Sequence, residues 1–200
     1  KISTKKYHQK MNILSDRILS LEESQTIAMA RKSRELIDSG IDVISLSLGE
    51  PDFNTPDFIK DAAKKAIDNN FSHYTPVPGL NSLRAAISGK FKRDNKLDYP
   101  AEQIVASTGA KQSLAQLLMA ITNPGDEIIV PAPYWVSYFQ MVKMAEGTPV
   151  VIEATVDADF KVTAEQVEQA ITSKTKAFLF STPCNPTGSV YSKNELAELV

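Results

Sequence analysis

Apolar positions along this chain fall into two rhythms that alternate from one segment to the next. Residues 24–39 place Ile27, Ala28, Ala30 and Leu36 beside Arg31 in a loosely amphipathic helical pattern, closed by Gly40, a residue suited to a left-handed cap. Ile44, Leu46 and Leu48 then alternate with Ser45 and Ser47, the period of a half-buried strand that stops at Gly49. In "GEPDFNTPDFIKDAAKKAI", Thr55 is expected to cap a helix whose first residue is Pro56, with Phe58, Ile59, Ala62, Ala63, Ala66 and Ile67 facing inward. Asn81 is expected to cap the next helix, which carries Leu83, Ala86, Ile87 and Phe91 on one stripe. Gln103–Ser107 reads as a short strand, followed from Ala110 by a helix with Leu114, Leu117, Leu118 and Ile121 at helical spacing. Asn123-Pro124-Gly125 breaks that helix ahead of a strand at Glu127–Val130. Pro149–Val156 and the nearly all-apolar Lys176–Ser181 read as further strands, the second as one covered on both faces. Thr163–Gln166 and Ser192–Glu195 match capping boxes at two helix starts.

Strands separated by crossover helices predict an α/β layered chain with a parallel sheet, whose ligand crevice lies outside the carboxyl ends of the strands. That rule selects four loops: Gly49–Phe53, Thr108–Lys111, Pro131–Trp135 and Ser181–Gly188. Composition narrows the partners. With 200 residues, 42% hydrophobic and 23% charged, the chain can bury a sizeable core, so disorder and collagen are excluded. A net charge of −2 with mixed signs advertises neither nucleic acid nor an anionic membrane, and no apolar run approaches the length of a spanning helix. A cytoplasmic protein is expected. Its single cysteine, Cys184, has no partner for an internal disulfide and reads as a small packing residue. His8 and His73 stand too far apart to suggest a metal site, and Pro51 between Glu50 and Asp52 fits a loop more than a catalytic carboxylate pair. Met11-Asn12 reads as a true start behind a ten-residue leader, and the helix opened by Ser192 is expected to run past Val200; the chain is read as truncated.

Three loops carry chemistry. "ASTGAKQSL" ends a strand and starts a helix at a glycine, so orphan N–H groups and the helix dipole favour an anion there, with Ser107, Thr108 and Lys111 as added donors. The spacing is neither a Walker A loop nor a dinucleotide fingerprint, and an ordinary capped helix with a solvated lysine fits the same residues. "VPAPYWVSY" displays the only tryptophan, Trp135, where an indole can stack on a planar ligand or simply pack on the core. In "STPCNPTGSV" the proline after Asn185 bars that residue from the helical region, and Pro183 stiffens the approach. Asn185 is then held out as a fixed amide donor, although Asn-Pro and Thr-Gly are also common turn formers. Together an anion cradle, a stacking ring and an amide donor describe a site for a flat phosphorylated aromatic with a phenolic oxygen; pyridoxal 5'-phosphate has those three handles.

At these residues the sequence resembles the class I, fold-type I pyridoxal-phosphate-dependent aminotransferases, in particular the prokaryotic aspartate aminotransferases. "LGEPDF", "YTPVPGLNSLR", "STGAKQSL", "NPGDEIIVPAPYWVSY" and "NPTG" occur in the family's order at similar spacing, from about Ile13 to Val200. The resemblance implies a three-layer α/β sandwich with a mainly parallel sheet, in which residues 1–50 form an N-terminal arm and the first part of a small domain, and residues 51–200 the front portion of the large cofactor-binding domain. It implies that the backbone of Gly109 and Ala110 holds the cofactor phosphate, that Trp135 stacks on the pyridine ring and that Asn185 hydrogen-bonds the phenolic oxygen. Tyr74 matches a tyrosine that reaches the phosphate in the neighbouring subunit, which implies a homodimer, and Gly49 matches the glycine beside the substrate α-carboxylate. Ser24, Thr26 and Lys111 match positions that contact the distal carboxylate of a dicarboxylic substrate, favouring aspartate or glutamate, with prephenate as a possible extra substrate. For Lys111 a solvent-facing charge is the alternative.

The function implied is transfer of an amino group from a dicarboxylic amino acid to a 2-oxo acid. The family's catalytic lysine, and its partners for the pyridine nitrogen and the α-carboxylate, are expected beyond Val200, and Lys143, Lys176 and Lys193 do not replace it. A non-catalytic pseudoenzyme or a regulator's effector domain is the alternative, although Lys1–Lys10 is too short for a helix-turn-helix. A dehydrogenase would need a glycine fingerprint after the first strand, which is not seen. By the same resemblance the Ala132–Pro133 and Asn185–Pro186 peptide bonds are expected to be cis.

Overall fold

A computed structural model describes residues 13–46 and 49–200. Its helices among the described residues are α1 (Asp16–Leu19), α2 (Gln25–Asp38), α3 (Asp57–Asp68), α4 (Asn81–Lys90), α5 (Gly109–Ile121), α6 (Ser137–Met144), α7 (Ala164–Ala170) and α8 (Lys193–Glu198). The strands are β1 (Glu127–Ala132), β2 (Thr148–Glu153) and β3 (Thr175–Phe178). The chain forms two compact units: the described residues up to Lys32 together with Leu114–Val200, and Ser33–Ser113.

The first unit is built on β1. Its residues alternate so strictly that two separate cores form on its two faces. Ile128 and Val130 point to one side, where Leu118 of α5 and Tyr138, Met141, Val142 and Ala145 on and just after α6 complete a buried cluster. Ile129 points to the other, against Val162 and Val167, with Val150, Ile152 and Phe178 around them. β1 lies between β2 and β3 and pairs parallel with both, Ile129 standing opposite Val150 on one side and Phe178 on the other. Helices thus cover both faces of a parallel sheet, the three-layer α/β arrangement expected from the sequence. Because Ile128, Ile129, Val130 and Val142 are fully buried, each removes from water a side chain whose burial contributes about 1.5–3 kcal/mol. Thr163 and Ser192 cap α7 and α8 through complete capping boxes with Gln166 and Glu195. α8 is described over Lys193–Glu198, with the Leu199 N–H donating to the Glu195 carbonyl at 3.2 Å.

The second unit is held differently. The Ser88 hydroxyl donates to the Tyr99 carbonyl at 2.6 Å, and the Arg84 Nε to the Ile104 carbonyl at 2.8 Å, so α4 is tied to the chain that follows it. The Ala106 N–H donates to the Pro78 carbonyl at 2.9 Å. Gly79 sits at φ 102° with Ala106 so close that an added Cβ would meet its methyl at 2.9 Å. α2 ends as expected at Gly40, which adopts φ 81° while the Ile41 N–H reaches back to the Leu36 carbonyl.

Several expectations are corrected here. Gln103–Ser107 is no strand: Ala101–Gln103 form a 3-10 turn, and although Ile104 has extended dihedrals (φ −109°, ψ 131°), its carbonyl is taken by Arg84 and the Ala106 N–H by the Pro78 carbonyl. No described strand offers it a ladder. Ile44 and Leu46 are likewise unpaired and 86% and 90% exposed, while Ser47 and Leu48 lie outside the described residues. Thr55 does not cap α3. Pro56 stands at the cap position, its carbonyl accepting from Ile59 and Lys60. Asn81 is the first residue of α4 and its side chain accepts from Arg84 instead of capping.

Candidate functional site

Two of the four selected loops leave the same edge of the sheet. β1 and β3 are parallel neighbours, so the loop after Ala132, which carries Trp135, and the loop after Phe178, which carries Asn185, both lie at the carboxyl end of the strands. The Ala132–Pro133 and Asn185–Pro186 peptides are cis, as expected, and Thr182–Pro183 is cis as well. The Cys184 thiol donates to the Pro133 carbonyl at 3.4 Å, joining the two loops directly. Trp135 is half-buried against the α6-side core and meets the Tyr138 ring edge-on, with centroids 5.5 Å apart and planes at 87°. Trp135 therefore packs on the core and still presents part of its indole.

Asn185 itself is exposed. Its N–H donates to the Ser181 hydroxyl at 3.4 Å, while its side-chain amide makes no hydrogen bond to the described residues. The loop around it is closed by the Cys184 N–H on the Ser189 carbonyl at 2.9 Å and the Gly188 N–H on the Cys184 carbonyl at 2.8 Å. Behind the loops is a small crevice walled by Pro133, Tyr134, Phe180, Cys184 and Tyr191. Burial, and then the nearby carboxylates of Glu153 and Glu22, push the Tyr134 hydroxyl above its ordinary pKa. Burial does the same for Tyr191, opposed by the Val162 N–H that its hydroxyl accepts at 2.8 Å. Ser24 and Thr26, both half-buried, stand at the start of α2, where the Ser24 carbonyl accepts the Ala28 N–H at 3.0 Å. The segment just ahead of them is fastened to α6 by the Lys143 ammonium on the Ser20 carbonyl and the Glu22 N–H on the Gln140 side chain.

The remaining candidates belong to the second unit. Thr108, Gly109, Ala110 and Lys111 are exposed at the start of α5. Gly109 adopts φ 78° with nothing within 4 Å of the place a Cβ would occupy, and its N–H reaches the Ser107 carbonyl at 2.9 Å. Gln112 turns back to accept the Thr108 N–H, and the Ser107 and Ser113 hydroxyls pair with each other. The donors at this helix start are thus exposed or satisfied by nearby groups. Tyr74 is fully exposed and Gly49 lies in open surroundings. Thr108–Lys111 does not follow a strand, which corrects the expectation for that loop, and among the described residues no strand stands ahead of Gly49–Phe53, where Ser47 and Leu48 lie outside the described residues.

Two features were missed in the sequence: Tyr191, and the link from Cys184 to Pro133. A single aromatic in the mostly polar "TGSVYSKNE" was the available signal for Tyr191.

Comparison with known proteins bears on this arrangement. The model of the family described as aminotransferase class I and II matches residues 41–200. A probable aspartate/prephenate aminotransferase of Rickettsia bellii is 50% identical over 94% of this chain and 47% of its own length. The aspartate/prephenate aminotransferase of Cereibacter sphaeroides is 53% identical over the same shares. Among solved structures, the Thermus thermophilus aspartate aminotransferase with maleate superposes with a TM-score of 0.91 at 42% identity, covering 94% of this chain and 50% of that one. The chain spans about half the length of the curated relatives it matches.

Proposed function

Since the chain belongs to the class I and II aminotransferase family, we propose that the whole protein moves an amino group from a dicarboxylic amino acid, aspartate foremost, to a 2-oxo acid, with pyridoxal 5'-phosphate as its cofactor. The observation that carries this reading is the meeting of the Trp135 and Asn185 loops at the carboxyl ends of the adjacent strands β1 and β3, joined by Cys184. A second observation tests whether the cofactor fits: the open space beside Gly109 leaves room for a phosphate at the start of a 13-residue helix, whose dipole favours an anion. The residues fit the group.

In this reading Gly109 and Ala110 hold the phosphate through their backbone, Trp135 covers one face of the ring, and the Asn185 amide donates to the phenolic oxygen. That donation favours the ionised oxygen. When bound, the cofactor supplies an electron sink for the carbon that loses its proton. Gly49 faces the substrate α-carboxylate. Ser24, Thr26 and Lys111 receive the distal carboxylate, a choice supported by the Thermus aspartate aminotransferase with maleate and by relatives named for aspartate. Prephenate joins the substrates on the strength of the two relatives named for it. Tyr74, fully exposed, is assigned to the neighbouring subunit's phosphate in a homodimer. Residues 1–50 are assigned to the arm and small domain and 51–200 to the large domain. Among the described residues no helix is long and apolar enough to cross a membrane, and a cytoplasmic location accords with the family's chemistry. The non-catalytic alternative finds no support in relatives named for amino transfer.

The test is the absorbance spectrum of the whole protein with pyridoxal phosphate. A pH-dependent visible band that changes on adding aspartate is expected. A protein that acquires no such band, or whose band ignores aspartate, refutes the reading.

A further inference from the structure

Asn185 can serve as a fixed donor only if its loop is held from outside, because the bonds within the loop close it without placing it. Among the described residues, three hydrogen bonds tie the stretch Ser181–Tyr191 to other parts of the first unit. The Cys184 thiol on the Pro133 carbonyl and the Ser189 hydroxyl on Asp159 are both at 3.4 Å, and a thiol is a weak donor. The third is shorter and buried. The Tyr191 hydroxyl accepts the Val162 N–H at 2.8 Å, and both residues are below a tenth exposed.

Tyr191 is itself well seated. Its N–H donates to the Thr182 hydroxyl at 3.0 Å, closing the base of the loop, and its ring meets Phe180 edge-on at 5.6 Å. The other side of the contact is equally fixed. Val162 belongs to the core beneath β1, and the preceding Lys161 is clamped between Glu195 at 2.8 Å and Asp159 at 3.5 Å. We infer that Tyr191 is a positioning residue for Asn185, tying its loop through one buried hydrogen bond to the chain that leads into α7. The inference rests on the proposed role of Asn185 and assigns that role a support.

The experiment uses the whole protein and three variants: Tyr191→Phe, Asn185→Ala and Val142→Ala. The last thins the core beside Gly147, at the amino end of the strands, and touches none of the loop's bonds. Hydrogen exchange of the cofactor-free protein reads the loop directly. Exchange at the Cys184, Gly188 and Tyr191 amides is expected to rise about fivefold in Tyr191→Phe, the factor that loss of one buried hydrogen bond implies. With pyridoxal phosphate bound, Asn185→Ala is expected to raise the pH at which the visible band titrates, Tyr191→Phe to raise it less, and Val142→Ala to leave it in place. If Asn185→Ala does not move the band, the proposed role of Asn185 fails, and the exchange arm still decides whether Tyr191 anchors the loop. If Asn185→Ala moves the band while Tyr191→Phe does not, or Val142→Ala moves it as far as Tyr191→Phe does, the inference is overturned. Should Tyr191→Phe be too unstable to purify, Thr182→Ala, which removes the acceptor for the Tyr191 N–H, is read by the same two measurements.

Discussion

Replacing Gly109 by alanine separates a backbone cost from a functional one, because the structure supplies a matched control. Gly109 and Gly40 adopt nearly the same left-handed dihedral, φ 78° and 81°, and neither has an atom within 4 Å of the position a Cβ would take. Each alanine therefore meets the same intrinsic strain and no clash. A left-handed alanine costs about 1–2 kcal/mol, partly offset by about 0.4–1 kcal/mol from the stiffer unfolded chain, leaving a loss of about 1 kcal/mol in either variant. For a protein of this size or larger that lowers the melting temperature by about 2–4 °C. The two variants should differ in one respect. At Gly109 the new methyl enters the space proposed for the phosphate, and loss of a charge-assisted hydrogen bond there weakens cofactor binding by about tenfold or more. Thermal unfolding of the cofactor-free variants and absorbance titration with pyridoxal phosphate measure the two effects independently. Unchanged affinity in Gly109→Ala, or an equal loss in Gly40→Ala, refutes the assignment of the α5 start as the phosphate cradle.

Further expectations follow from the packing and the charges. Gly79→Ala adds a clash with Ala106 to the same kind of dihedral strain, so it should cost about 1–3 kcal/mol more stability than Gly40→Ala does and melt at a lower temperature. Ile129→Ala empties a fully buried position at the centre of the sheet, and urea unfolding should register a loss of about 2–5 kcal/mol. Hydrogen bonds from Lys161 and from Ser192 hold the Glu195 carboxyl down at about 2 from an unfolded value of 4.5. A depressed carboxylate stabilises the fold above its unfolded pKa and loses that contribution as pH falls through its folded one. Melting temperature should therefore decline between pH 4.5 and 2, and Glu195→Gln should flatten that limb. An equally steep decline in the variant assigns it to other groups.

What could be read from the sequence follows the range of each interaction. Capping boxes at Thr163 and Ser192 are formed by residues three apart, and both stand as expected. Ile128, Ile129 and Val130 form an unbroken apolar run and are buried on both faces of the central strand β1, whereas the sequence reading singles out Lys176–Ser181 for coverage on both faces. Thr55 and Asn81 failed as caps by a single residue, since the helix ends there are set by the turns at Pro56 and Leu80 and not by side-chain preference. The cis prolines of the Trp135 and Asn185 loops were anticipated from the sequence, whereas the bond between Tyr191 and Val162 spans 29 residues and leaves no periodic trace.

The segment Ile104–Ser107 shows why the remainder was out of reach. Its residue pattern and the Ile104 dihedrals are those of a strand, yet a strand is a relation between two segments. Here the Ile104 carbonyl accepts from Arg84 and the Ala106 N–H donates to Pro78, while Val105 is left 67% exposed. An apolar side chain in that state gains nothing from its β-branched shape, which is favoured only where a neighbouring strand packs against it. Ile44 and Leu46 are left exposed in the same way. Periodicity states which face a segment would bury; whether it is buried depends on a partner that the segment's own residues do not encode. In β1 the partners, β2 and β3, arrive within the same stretch of chain, and there alone the alternation became a sheet among the described residues.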